Sequence, residues 1–220
     1  MENKDIELLR AKLGQDGYVV FDVNKEVTDL QEVAKRFGRV IPGDKGDVVQ
    51  TLLAQDKGNG SYGAFTFKVG FGKFPWHTDT AYWDIPVRYL LLSSDKSSPC
   101  ATITRSFESL KSVIEDFDYL AERAIFMLNI PGRRKLLSCV IKGANLKGYR
   151  FDYNIYVPMN HEAVLLSDLI LKELDNEHDR IVWTGKNVLI VDNWKFIHSR
   201  EDASEDKNRS LKRVYLNELV

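Results

Sequence analysis

Cysteine and histidine are scarce in this chain, and neither sign of charge prevails. Only two of its 220 residues are cysteine, Cys100 and Cys139, too few and too far apart for a disulfide framework. They read as two reduced thiols, the usage expected of a cytoplasmic protein. No apolar run approaches the roughly 20 residues of a membrane span. The opening Met1-Glu2-Asn3-Lys4-Asp5 is charged where a signal peptide has its apolar core. Lys and Arg number 31 against 32 Asp and Glu, a net charge of -1. That balance supplies no basic stripe for nucleic acid and no surface for a membrane. Internal repeats, low-complexity segments and Pro/Gly/Ser-rich linkers are all missing. The expectation is one soluble domain over residues 1–220, cytoplasmic, with its oligomeric state open.

What is present is an ordinary globular composition, 44% hydrophobic and 29% charged, laid out in short runs. Ile6, Leu8, Leu9 and Leu13 suit a short amphipathic helix over 4–14, punctuated by Gly14 and Gly17. Tyr18–Val23, rich in β-branched and aromatic residues, predicts a strand. A helix over 27–37 ends at Gly38, and the glycines and charges of 43–63 predict loops around one strand, Val48–Ala54. Further strands are predicted at Phe65–Val69, Tyr89–Leu92, Cys100–Thr104, 125–130, 135–141, 149–155, 180–183, 187–192, 195–198 and 211–216. The best helical pattern is Phe107–Ala124, with Leu110, Val113, Ile114, Phe117, Leu120 and Ala121 at helix spacing and Ser106 as its cap. Another helix covers 161–175. Many short strands with a few peripheral helices predict a mainly-β domain, a β-sandwich or double-stranded β-helix.

The chemistry gathers at His77-Thr78-Asp79 and at His198. Two imidazoles and one carboxylate hold a non-heme Fe(II) on one face and leave the other open for a chelating co-substrate and O₂. In an extended segment, side chains two apart leave from the same side. His77 and Asp79 can then grip one ion as a pair, while His198 arrives from another strand. An H-x-D triplet is frequent by chance, and its weight comes from its surroundings. Val188-Leu189-Ile190-Val191-Asp192-Asn193 leads into His198, and Arg209-Ser210-Leu211-Lys212-Arg213 follows it. Over residues 74–216 these features together resemble the TauD/clavaminate-synthase group of Fe(II)/2-oxoglutarate-dependent dioxygenases. In that group a strand and an Asp-Asn pair lead into the distal histidine, and an R-x-x-x-R pair follows on a later strand. The two other histidines, His161 and His178, fall at a helix start and in a charged loop and read as surface residues.

The resemblance implies a jelly-roll, the double-stranded β-helix, with extra helices outside. It implies that His77, Asp79 and His198 ligate Fe(II), and that 2-oxoglutarate chelates the metal through its keto oxygen and one carboxylate. Arg209 then meets the far carboxylate with a bidentate guanidinium. Thr102 lies where the group places a threonine for the same carboxylate. The usual Gly-Gly before it is Pro99-Cys100-Ala101 here, and Thr104 is the alternative. Arg213, four residues beyond Arg209, shares its face on a strand and is expected at an anionic group of the substrate. Asn193 and Trp194 are expected to shape the surroundings of His198. Trp76, Tyr82 and Trp83 are expected to wall the substrate pocket. Arg150 and Asp152 either reach the substrate or pair on the sheet rim. The charged loop 201–207 is placed to close over the site.

The implied reaction is oxidative decarboxylation of 2-oxoglutarate to succinate and CO₂, coupled to hydroxylation of an unactivated C–H. Asp79 stands where the group's halogenases carry a small residue, which favours hydroxylation. The chain is compact, so the substrate is expected to be small, anionic or amino-acid-like, or else presented by a carrier protein on an open site. Two other classes compete. A jelly-roll that binds or senses without catalysis has no reason to keep a co-substrate arginine. A Zn²⁺ hydrolase with a His₂/carboxylate site needs a general base near the metal and no R-x-x-x-R pair.

Overall fold

The computed structural model describes residues 3–23, 29–56, 58, 69–142 and 147–219. In chain order these form α1 (Asn3–Asp16), β1 (Tyr18–Asp22), α2 (Leu30–Phe37), β2 (Gly38–Ile41), β3 (Gln50–Leu53), β4 (Phe74–His77), β5 (Tyr89–Ser93) and β6 (Ser97–Ser106). Then follow α3 (Phe107–Val113), α4 (Phe117–Arg123), β7 (Ile125–Leu128), β8 (Leu136–Ser138), β9 (Val140–Lys142), β10 (Lys147–Tyr149) and β11 (Tyr156–Pro158). The last elements are α5 (His161–Leu174), β12 (Asp179–Thr184), β13 (Asn187–Asp192), β14 (Phe196–Arg200) and β15 (Ser210–Leu219).

Two antiparallel sheets face each other. The larger runs β1-β13-β5-β15-β2, with β3 also paired to β15, and the smaller runs β12-β6-β14-β4. From β3 to β6 and again from β12 to β15, consecutive strands alternate between the two sheets, as in the jelly-roll expected from the sequence. The central strands β5 and β13 are apolar at nearly every position because both faces are covered. Tyr89, Leu91, Val188, Ile190, Val214 and Leu216 turn outward onto Ile6 and Leu13 of α1 and Leu30, Val33, Ala34 and Phe37 of α2. Their neighbours Leu90, Leu92, Leu189, Val191, Leu211 and Tyr215 turn inward onto Ile181, Trp183 and Phe196 of the smaller sheet. Burying one such aliphatic side chain is worth about 1.5–3 kcal/mol. A one-residue slip would exchange the two sets.

The outer face of the smaller sheet, through Ile103 and Ile197, packs on a third cluster that includes Phe107, Leu110 and Phe117 of α3 and α4 and Leu166 and Ile170 of α5. The caps follow local chemistry. Asp29 accepts from Gln31 N, Ser106 from Ser109 N and Asn160 from Ala163 N, each meeting an otherwise orphan helix N–H.

Several expectations need correction. The predicted helix 107–124 is two helices, broken at Asp116, whose φ of +55° is a left-handed conformation that Asp tolerates better than most residues. The apolar spacing carries straight through the break, so periodicity could not reveal it. The predicted strand 149–155 is replaced by β10 and β11, with a single bridge between Asp152 and His77 between them. The segment 135–141 divides into β8 and β9, and β6 is longer than Cys100–Thr104. β2 and β4 had no sequence signal, and β4 contains Pro75. Phe65–Val69, apart from Val69, lies outside the described residues, as do the first residues of the predicted helix 27–37. Cys100 and Cys139 are unpaired and buried. Among the described residues no helix is long and apolar enough to cross a membrane.

Candidate active site

The smaller sheet assembles the site. Antiparallel pairing of β14 with β4 sets His198 opposite His77, and pairing of β14 with β6 sets it opposite Thr104. Residues 121 positions apart in the chain thereby become neighbours, with ring centroids 4.4 Å apart. Asp79 is not on a continued strand: β4 ends at His77 and the chain bends. Thr78 N donates to Phe151 O at 2.8 Å, and Thr80 is held at φ +53°, a strained conformation for a β-branched residue. The Thr80 hydroxyl donates to Asp79 O at 2.7 Å and accepts from Val87 N at 2.8 Å. Asn193 completes the bend. Its side-chain oxygen accepts from Asp79 N at 2.8 Å, and its amide donates to Asp79 O at 3.0 Å and Val87 O at 2.8 Å. Asn193 was expected beside His198, but it holds the main chain of Asp79.

Three donors converge. His77 Nε2 lies 3.6 Å and His198 Nε2 lies 3.9 Å from Asp79 Oδ1, and all three donor atoms fall within 4.8 Å of one another. His77 Nδ1 sits 2.9 Å from Pro75 O, an arrangement that places the proton on Nδ1 and leaves Nε2 free as a ligand. These three side chains would hold one divalent ion between them. Two imidazoles and one carboxylate are the donor set that suits such an ion.

Asp79 and His198 have the protonation states that ligation requires, and His77 without a metal leans the other way. Burial pushes the Asp79 carboxyl up, but Arg213, His77 and His198 outweigh it and hold the group well below the usual carboxylate range. Burial and the neighbouring His77 pull His198 down to about 3, so it is the neutral imidazole that ligation requires. Burial also pulls His77 down, yet its hydrogen bond to Asp79 and the carboxylate charge leave it raised.

The donors open into a cavity of about 880 Å³ between the sheets. Arg209, Leu211, Arg213 and Tyr215, every second residue, line its wall. Arg209 is buried beside Thr102, donating through Nη2 to the Thr102 hydroxyl at 3.2 Å and through Nε to Cys100 O at 3.0 Å. Thr102 lines the cavity, whereas the Thr104 hydroxyl is turned onto Ile197 O at 3.0 Å. Arg213 is already engaged. Its Nη1 donates to both oxygens of Asp79 at 3.0 and 2.8 Å, and its Nε donates to Gln50 Oε1 at 3.0 Å. The expected contact with a substrate anion gives way here to a grip on the carboxylate that faces the two histidines.

Tyr82 and Trp83 line the cavity as expected. Both donate to Asp44, Trp83 Nε1 at 2.8 Å, which ties the turn after Asp79 to the hairpin 43–47. Trp76 does not line the cavity: it is buried in the cluster outside the smaller sheet. It alternates with His77 on β4, so its side chain leaves from the opposite face. Arg150 reaches neither substrate cavity nor sheet rim. Its donors go to main-chain oxygens of Ser138, Ala81, Trp83 and Asp84. Asp152 is buried and its carboxyl is pushed up to about 6 by desolvation. Trp194 donates to Pro86 O at 3.0 Å. Of the loop 201–207, Ala203 packs inward, and Glu201 braces β6 at Ala101 N. Sequence reasoning missed Asp44, Gln50 and Arg200, all of which line the cavity. Arg200, opposite Thr102 in the β14–β6 register, was the one with a strand-pairing signal.

No protein-family model and no curated protein matches this sequence. Solved structures do. An asparagine oxygenase, in complex with Fe(II), 2S,3S-3-hydroxyasparagine and succinate, superposes with a TM-score of 0.74 at 14% identity, over 98% of this chain and 78% of its own. The non-heme iron oxygenase OrfP, in complex with Fe, succinate and (3S)-hydroxy-L-Arg, gives 0.72 at 18% identity, over 98% and 80%. The PvcB protein from Pseudomonas aeruginosa gives 0.71 at 18%, over 96% and 79%. At these identities the likeness shows the fold. That fold is the jelly-roll that the resemblance implies.

Proposed function

We propose that this protein is an Fe(II)- and 2-oxoglutarate-dependent oxygenase that hydroxylates an unactivated C–H of a small, amino-acid-like metabolite. One observation carries the reading: a His-Asp-His donor set and a buried arginine–threonine pair line the same cavity. His77, Asp79 and His198 would hold the metal. Arg209, with Thr102 beside it, is the fixed cation for the far carboxylate of 2-oxoglutarate. Burial pulls its guanidinium down to about 10, so it stays charged at neutral pH. When bound, the metal and co-substrate supply the oxidising power for oxygen insertion. The chain's own work is positional. Asn193 and Arg213 fix Asp79, Pro75 fixes the His77 ring, and Tyr82, Trp83 and the hairpin 43–47 cover the open side of the cavity. The amino-acid class is supported by the fold neighbours, whose bound ligands are hydroxylated asparagine and arginine. The intact carboxylate at Asp79 supports hydroxylation over halogenation.

The test is anaerobic reconstitution with Fe(II) and 2-oxoglutarate, watching for the weak visible charge-transfer band of the chelate. The band is expected in wild type and absent in His77→Ala and Arg209→Ala. A folded, iron-loaded wild type without it would sink the reading and return the binding-module and zinc-hydrolase alternatives.

A further inference from the structure

A second cavity, of about 370 Å³, adjoins the first, and Tyr82 and Trp83 line both. Its other wall is the turn between β7 and β8, which carries Arg133, Arg134 and Lys135 in succession. The pocket is built. Buried Arg150 pins one wall to the other, donating through Nη1 to Trp83 O at 2.7 Å and Asp84 O at 3.3 Å, and through Nε to Ser138 O on β8 at 3.0 Å. The Tyr156 hydroxyl adds a bond to Ala81 O at 2.9 Å.

The charge is one-sided. Asp84 is the one acid lining this pocket, and Lys135 takes it at 2.6 Å. Arg133 lies over the Tyr82 ring, 5.6 Å from its centroid. Arg134 has no acidic partner among the described residues. In the metal cavity the arginines are engaged instead: Arg213 on Asp79 and Gln50, Arg200 on Gly70 O and Gly72 O, Arg209 on Thr102 and Cys100 O. The guanidiniums left to a substrate oxyanion therefore stand on the far side of Tyr82 and Trp83.

We propose that this second pocket binds an oxyanion, a phosphate or carboxylate, at the far end of an elongated substrate. The reacting carbon of that substrate enters the metal cavity past Tyr82 and Trp83. The inference rests on the oxygenase reading and narrows its substrate to an amino-acid-like molecule extended by an anionic arm. Adjacent guanidiniums give an oxyanion paired, charge-assisted hydrogen bonds, and the aromatic pair gives the arm an apolar track.

The experiment titrates the iron-free protein calorimetrically with inorganic phosphate, with acetate and with pantetheine 4′-phosphate. Wild type is compared with Arg133→Gln/Arg134→Gln and with Arg209→Gln. At least one probe is expected to saturate, to bind roughly tenfold or more weakly in the double variant, and to be unaffected by Arg209→Gln. Both substituted arginines of the double variant are exposed, and its thermal unfolding is expected to match wild type. Tighter binding of pantetheine 4′-phosphate than of inorganic phosphate identifies a tethered arm. Equal binding identifies a bare phosphate ester, and stronger binding of acetate identifies a carboxylate. No saturable binding of any probe overturns the proposal, and so does binding lost with Arg209 but kept without Arg133 and Arg134. None of these titrations uses iron. Probe binding without the charge-transfer band leaves the pocket standing and sinks the oxygenase, and the reverse result does the opposite.

Discussion

The two ends of the main cavity are built differently. At the donor end, Asp79 is fixed by hydrogen bonds from Asn193 and Arg213 and His77 by its contact with Pro75 O, and Asp79, His198 and Asn193 are almost without solvent contact. At the mouth, Asp44, Lys45 and Asp47 are exposed, and the hairpin is held by side-chain bonds from Tyr82 and Trp83 to Asp44. A Cβ at Gly43 would lie 1.5 Å from Gln50 Nε2, so the Gln50 side chain packs directly on the hairpin backbone. A tightly bonded end and a more exposed end is the division expected of a binding site set on a rigid scaffold.

The comparison can be broken hardest at Arg213. Replacing it with Gln strips a buried carboxylate of its cation and is expected to cost about 3–5 kcal/mol, read by urea unfolding of the metal-free protein. The pH dependence has a definite sign. Asp79 titrates below its unfolded value of about 3.9, so its contribution is present above that pH and is lost as pH falls through the depressed folded pKa. Without Arg213, burial pushes the carboxyl up, and the acid-unfolding midpoint is expected to move to higher pH. An unchanged midpoint would show that the two histidines alone suffice.

Asn193→Ala tests whether the donor end owes its rigidity to main-chain bonds. It leaves Asp79 N without its buried partner and Asp79 O with the Thr80 hydroxyl alone, for an expected loss of about 1–3 kcal/mol and a fall of about 10–100-fold in divalent-metal affinity. Titration with Co(II) measures the latter, and a variant with wild-type affinity would refute the role. Asp44→Ala is expected to do least. Its bonds are exposed, so stability should change by less than about 1 kcal/mol. Amide exchange of the hairpin should rise several-fold while metal affinity holds. Loss of metal binding in this variant would erase the distinction between the two ends.

The same division explains what the sequence made legible. The continuously apolar strands β5 and β13 and the triplet His77-Thr78-Asp79 carry their information in adjacent residues: the strands lie in the core as expected, and His77 and Asp79 lie together with His198. Arg150 and Arg213 are on strands or next to them, but the oxygens of 81–84 that Arg150 holds and the carboxylate that Arg213 holds are more than 60 residues away. No local pattern announces such bonds. Trp76 was misplaced because β4 itself was not seen, and with it the face that each side chain takes. Asp44 lies in a glycine-rich stretch whose composition says only loop and Gln50 on the short strand predicted within it, and their importance arises from chain segments that fold back onto them.

Arg150 has a consequence for how this protein can be altered. It spends its donors on peptide oxygens, so the gap between the 81–84 turn and β8 is held open whatever side chains occupy positions 82, 83 and 84. Those three residues can be exchanged in combination without collapsing the space between them. A library confined to Tyr82, Trp83 and Asp84 would therefore sample substrate preference on a frame that stays constant.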